Sequence, residues 1–200
     1  MEQLYMLAYT PYSAGTHTLP QGYRFVRFTG SPKDISDWKR IIMEEPAPKD
    51  GADSCYHLMI EVYPDIVQTT DIHFIENTVA ERVATITTIT HADGTGYVHM
   101  VKVMSSERGR GLGHCMAEYA LREFSRRGAT EVLLSTDDFR LPAIKTYLDA
   151  GFVPLVHAPQ DDPIHHRWDV ILEKLSYPSV TRIWREHTCC LLYTSDAADE

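Results

Sequence analysis

The sequence predicts an α/β fold of the α+β kind, a mixed central sheet with helices on its faces. Three observations lead there. From Asp71 to Val103 apolar residues recur at period two, as in strands joined by hairpins. From Leu112 the spacing becomes helical, and helical stretches then alternate with short apolar runs. The chain has 200 residues, 44% of them hydrophobic and 24% charged, which suits one domain with a real core.

Taken in order, residues 1–20 lack periodicity and read as a loose leader to a domain drawn from 21 to 176. Tyr23 to Phe28 is β-prone and predicts a first strand. Ser31-Pro32-Lys33-Asp34 predicts a helix start: Ser caps, Pro suits the first position, and Asp sits in the first turn. Ile35, Trp38, Ile41 and Ile42 follow at helical spacing. Glu45 to Asp53 reads as a loop, and Tyr56 to Tyr63 fits helix or strand. Asp71 to Glu76, Arg82 to Thr90 and Tyr97 to Val103 are predicted strands. Leu112, Cys115, Met116, Tyr119, Ala120 and Phe124 mark one helix face, with Gly128 as the stop. Glu131 to Thr136 reads as a strand covered on both faces. Pro142 opens a helix that Gly151 closes, Phe152 to Val156 is a further strand, and His165 to Leu175 a last helix.

Residues 177–189 read as a C-terminal extension, which a fragment end would leave truncated. Cys190 to Glu200 looks like a translated sequencing adapter and is set aside as non-native. A native acidic tail is the other reading.

The formal net charge is −9 and the pI about 5.5. An acidic chain argues against sequence-independent nucleic-acid binding and suits small molecules or cationic partners. No apolar run approaches the roughly 20 residues of a membrane helix, and residues 1–14 do not read as a signal peptide. Cys55, Cys115, Cys189 and Cys190 form no CxxC pair, so reduced thiols in a cytoplasmic protein are expected. No metal is expected: His165 and His166 are helix neighbours that point apart.

Arg108-Gly109-Arg110-Gly111-Leu112-Gly113 joins a strand to a helix. At such a junction the first helical N–H groups are unpaired and the helix dipole is positive. Glycines let a phosphate approach the backbone, and Arg108 and Arg110 add mobile positive charge. A tight turn is the plain alternative. The P-loop pattern GxxxxGK[ST] is absent, and Met116 is too large for the third Rossmann glycine, although Asp137 would serve as the ribose acid.

Arg-x-x-Gly-x-Gly, as Arg108, Gly111 and Gly113, fits a third pattern. With the strand Val98 to Val103 before it, it resembles the acetyl-CoA loop of the GNAT N-acetyltransferases. Ala143-Ile144-Lys145-Thr146-Tyr147-Leu148-Asp149-Ala150-Gly151-Phe152 resembles that family's second motif. The match covers about Tyr97 to Val156, and the rest of the chain adds no distinctive motif.

The resemblance implies a GNAT-like central mixed sheet with splayed strands, flanked by helices. It implies acetyl-CoA as acyl donor, a primary amine of a small molecule or peptide as acceptor, and direct attack in a ternary complex. A noncatalytic acyl-CoA-binding module is the alternative. The implied cofactor-binding residues are Val101, Lys102, Val103, Arg108, Gly109, Arg110, Gly111, Leu112, Gly113, His114 and Arg140, the last where many members have Asn. A monomer or homodimer is expected, without nucleic acid or membrane partners. The reaction needs a base, an acid and an N–H for the oxyanion. Tyr147 holds the family's leaving-group acid position, with core packing as the other reading. His99, on the strand beside the thioester, is the candidate base; Glu76 and Glu107 are weaker ones, and water relayed through backbone carbonyls is a further alternative. Cys115 reads as core. The pair Asp137 and Asp138 reads as loop and cap chemistry with an amine-binding option, and Asp161 with Asp162 as a solvated turn.

Overall fold

A computed structural model describes residues 3–12, 17–44, 71–156 and 162–185. The strands are β1 (Leu4–Tyr9), β2 (Arg24–Arg27), β3 (Ile72–Glu76), β4 (Arg82–Thr90), β5 (Gly96–Val103), β6 (Glu131–Thr136), β7 (Val153–Val156) and β8 (Ile183–Trp184). The helices are α1 (Pro32–Met43), α2 (Leu112–Arg126), α3 (Leu141–Asp149) and α4 (Pro163–Lys174). One eight-stranded sheet runs β2-β3-β4-β5-β6-β1-β7-β8. β2 to β5 are antiparallel neighbours, β5 to β6 is parallel, β1 is antiparallel to both β6 and β7, and β7 to β8 is parallel.

The predicted elements form for the expected local reasons. The Ser31 side chain accepts the Asp34 N–H at 3.1 Å, and Pro32 opens α1. Trp38, Ile41 and Ile42 face the sheet and pack with Phe28, Phe74, Tyr97 and Leu133. On the other face, α2, α3 and α4 bury Phe124, Ile144 and Trp168 against Met6, Val98 and Leu134. Burying each such large apolar side chain contributes about 1.5–3 kcal/mol. Gly96 is fixed by packing, because a Cβ there would stand 2.6 Å from the Phe124 ring.

Two expectations at the chain ends are corrected. Residues 1–20 are not a loose leader throughout: Leu4–Tyr9 pairs from Leu4↔Thr136 to Tyr9↔Glu131 and, on its other side, Tyr5↔Leu155 to Leu7↔Val153. Leu4, Met6 and Ala8 enter one core and Leu7 the other, so the strand shows no alternation. The extension after 176 also joins the sheet, as the edge strand β8. Asp162 is a cap rather than part of a solvated turn, accepting the Ile164 N–H at 2.9 Å.

The expected loop at 45–53, the ambiguous stretch 56–63, Asp161 and the adapter-like tail lie outside the described residues. Among the described residues no helix is long and apolar enough to cross a membrane.

Candidate active site

The site grows from a fault in the sheet. β5 and β6 pair only over Gly96↔Val132, Tyr97↔Leu133 and Val98↔Leu134. Beyond Val98 the two strands continue without each other. On the opposite side, Thr87 faces His99 while Thr85 faces Lys102, so Met100 and Val101 stand across from Ile86 alone. This is a β-bulge, and Met100 adopts φ 47° within it. Bulge and lost pairing together give β5 a backbone edge that β6 does not cover. Val101 and Val103 pack toward the α2–α3 side, whereas Met100 and Met104 pack toward α1.

That edge leads into the glycine-rich loop. A single 3₁₀ turn (Ser105–Glu107) follows β5, and Gly111 caps α2 at φ 76°, a backbone state that disfavours any side chain. The first ladder bond of α2 is Cys115 N–H to the Gly111 carbonyl at 3.1 Å. The N–H groups of Leu112, Gly113 and His114 therefore lie ahead of the ladder, at the positive end of the helix. A Cβ on Gly109 or Gly111 would meet nothing within 4 Å, so the space over the loop is open. At Gly113 a Cβ would sit 3.7 Å from Thr146, an ordinary contact, so packing alone does not require glycine there.

The predicted cationic side chains are held rather than mobile. Arg108 Nε donates to the Val103 carbonyl at 3.2 Å, and its guanidinium lies 3.8 Å from Glu44. Arg110 Nε is 3.1 Å from Glu107. Glu44 also accepts from the Ser105 N–H and hydroxyl, each at 2.7 Å. Lys102 Nζ donates to the Glu44 carbonyl at 2.8 Å, so its side chain ties down the end of α1 rather than lining the loop. Leu112 is buried and offers only its backbone. His114 turns its ring toward Glu118 and away from the loop.

 

Arg140 caps α3, and its Nε lies 2.8 Å from the Asp137 carboxylate.

The Arg140 guanidinium also stacks over the exposed Phe139 ring at 5.5 Å. Asp138 is held by Arg167 through contacts of 3.0 and 2.5 Å, which keep its carboxyl below the usual range. Neither acid of this pair is left to hold an amine.

Tyr147 lies on the last turns of α3, where the Phe152 N–H bonds its carbonyl at 3.0 Å and the two rings meet edge-on at 5.9 Å. It is 8% exposed, and burial pushes its phenol up to about 12. Among the described residues its hydroxyl has no hydrogen-bond partner. The ring packs in the core, and the hydroxyl proton is not used for structure.

His99 shares the α1-facing side of β5 with Tyr97, their rings 5.7 Å apart. Burial lowers its imidazole to about 4, so it is neutral at pH 7 but a weak base. Glu76 is buried between Arg24 and Arg82, and Glu107 accepts from Tyr23 Oη at 2.5 Å, so both alternative bases are engaged. Cys115 is a buried free thiol, as its place on the apolar face implies.

Sequence reasoning missed the Met100 bulge and the Tyr97 hydroxyl, which lies 2.8 Å from Ser135 Oγ across the end of the β5–β6 ladder. An aromatic residue on a predicted strand was the only signal for Tyr97. A bulge at Met100 has none, since methionine does not favour positive φ.

Comparison with known proteins identifies the family. The acetyltransferase (GNAT) family model matches residues 36–152. A mycothiol acetyltransferase from Nocardioides sp. is 35% identical over 72 residues, 36% of this chain and 23% of the relative. A GCN5-related N-acetyltransferase from Sphaerobacter thermophilus superposes with a TM-score of 0.59 at 20% identity, over 76% of this chain and 48% of that one. A NatC complex bound to Gag peptide and CoA gives a TM-score of 0.54 at 16% identity, over 66% and 86%. The chain thus spans about a quarter of the curated relative and about half of the Sphaerobacter protein. With the family model covering more than half of its residues, and the fold shared, the chain belongs to the GNAT acetyltransferase family.

Proposed function

We propose that this chain transfers an acetyl group from acetyl-CoA to a primary amine of a small molecule or peptide. The observation that carries the reading is the continuity of two backbone features. The β5 edge left uncovered beyond Val98 runs directly into the unpaired N–H groups at the start of α2.

In this reading the pyrophosphate sits on the loop Gly109–His114, and Arg108 and Arg110 swing onto it from Glu44 and Glu107. Arg140 offers a further cation in place of the family's usual Asn. The pantetheine pairs with the backbone of Val101, Lys102 and Val103 as an added strand. The bulge at Met100 turns a backbone amide out of the regular ladder, where it can receive the developing oxyanion.

The amine arrives from the α1 side, where His99 lies. Its nitrogen attacks the thioester carbonyl, forming the C–N bond. His99, too weak to deprotonate a free ammonium, takes the proton only once the nitrogen has bonded to carbon and become acidic. The C–S bond then breaks, Tyr147 protonates the sulfur, and solvent restores both groups.

The engaged state of Glu76 and Glu107 and the weak basicity of His99 favour a second reading, a noncatalytic acyl-CoA-binding module. Calorimetry with acetyl-CoA and thiol release with a panel of amines separate them. The enzyme binds and releases thiol, the module binds only, and a chain that does neither overturns both.

A further inference from the structure

The segment before β2 and the first turns of α2 bring three ligating side chains together. His17 Nδ1 lies 2.8 Å from Glu118 Oε1, and His114 Nε2 lies 3.5 Å from the same oxygen. All three donor atoms fall within 4.8 Å of one another. We propose that His17, His114 and Glu118 form a binding site for a divalent transition metal, zinc by its ligand set.

The chemistry favours that class. Two imidazoles and one carboxylate suit zinc, whereas magnesium and calcium prefer oxygen donors alone. Zinc bonds of about 2.0–2.2 Å set tetrahedral donor atoms roughly 3.3 Å apart, close to the 2.8 and 3.5 Å that separate the two imidazoles from Glu118. His114 and Glu118 are four residues apart on one helix face, so α2 pre-sets two of the three ligands. Arg122 Nη1 lies 3.3 Å from Glu118 Oε2 and holds the oxygen the metal does not need. Glu118 is a buried carboxylate, 2% exposed at its side chain, and its burial calls for a positive partner. The His17 and His114 rings stack at 3.9 Å, an arrangement that two charged imidazoliums would oppose. On binding, the metal replaces the His17–Glu118 hydrogen bond, with His17 ligating through Nδ1 as the tautomer that carries its proton on Nε2. His17 is 53% exposed at its side chain, so solvent water can reach the metal as a fourth ligand.

The site would fasten the segment around His17 to the helix whose N-terminus forms the glycine-rich loop. It stands independently of the acetyl-transfer reading.

The test uses the full chain stripped with a chelator. Zinc is titrated in competition with a chromophoric chelator, and cobalt is substituted for its absorption spectrum. The expected result is one zinc per chain, a tetrahedral cobalt spectrum without a thiolate charge-transfer band, and a zinc-dependent rise in Tm. His17→Ala, a surface change that spares the core, should weaken zinc about 100-fold and abolish the rise in Tm. Glu118→Gln should do the same where it folds. Equal zinc affinity in wild type and His17→Ala overturns the proposal, as does a thiolate band, which would place the metal on cysteine.

Discussion

Val98 pairs with Leu134, and there the parallel ladder between β5 and β6 ends. Two residues later Met100 takes positive φ in a bulge against β4. The slot proposed for the cofactor arm depends on this coincidence: one neighbour strand stops pairing where the other forces a bend.

The loop at Gly111 tests the phosphate reading. Gly111→Glu adds a like charge and a side chain at φ 76°. Acetyl-CoA affinity should fall more than tenfold, about 1.4 kcal/mol or more by calorimetry. Gly111→Ala carries the strain without the charge, so equal losses in both would point to distortion alone.

Tyr147→Phe removes only the hydroxyl, which holds no partner among the described residues. Tm should stay nearly constant, while kcat falls by roughly 100- to 10,000-fold with acetyl-CoA affinity retained. An unchanged kcat would leave Tyr147 as a packing residue.

His99 carries a pH signature. Its imidazole titrates near 4 in the folded chain and near 6.5 when unfolded. The unfolded state therefore binds more protons between these values, so stability is complete above about 6.5 and is lost as pH falls toward about 4. Denaturant midpoints for His99→Gln should fall less steeply over that window than those of wild type. Parallel curves would mean that His99 is not held neutral by burial.

Leu7 tests the central place of β1. It is fully buried, with Phe28, Trp38 and Leu133 in its cluster. Leu7→Ala should cost about 2–5 kcal/mol in chemical denaturation. A loss under about 1 kcal/mol would argue that β1 is dispensable.

Much of the fold was legible in local pattern. Ser31 and Pro32 announce α1, period two announces β3 to β5, the run Arg108–Gly113 marks the start of α2 and Gly128 its stop, and the second motif covers α3 up to Gly151. The glycine-rich loop proposed to hold the cofactor was legible for the same reason, since phosphate binding at a helix start is a contiguous feature. β1 was not, because a strand buried on both faces loses the alternation that would betray it.

What the sequence by itself determined is local: caps, periodicity and the run Arg108–Gly113. What only the tertiary structure decided are pairings over long separation. Leu4–Tyr9 finds its partners at 131–136 and 153–156, Arg167 claims Asp138, and His17 meets Glu118 across 101 positions. No spacing rule reaches so far. Such contacts follow from which faces must be buried together, and that is settled only when the sheet closes.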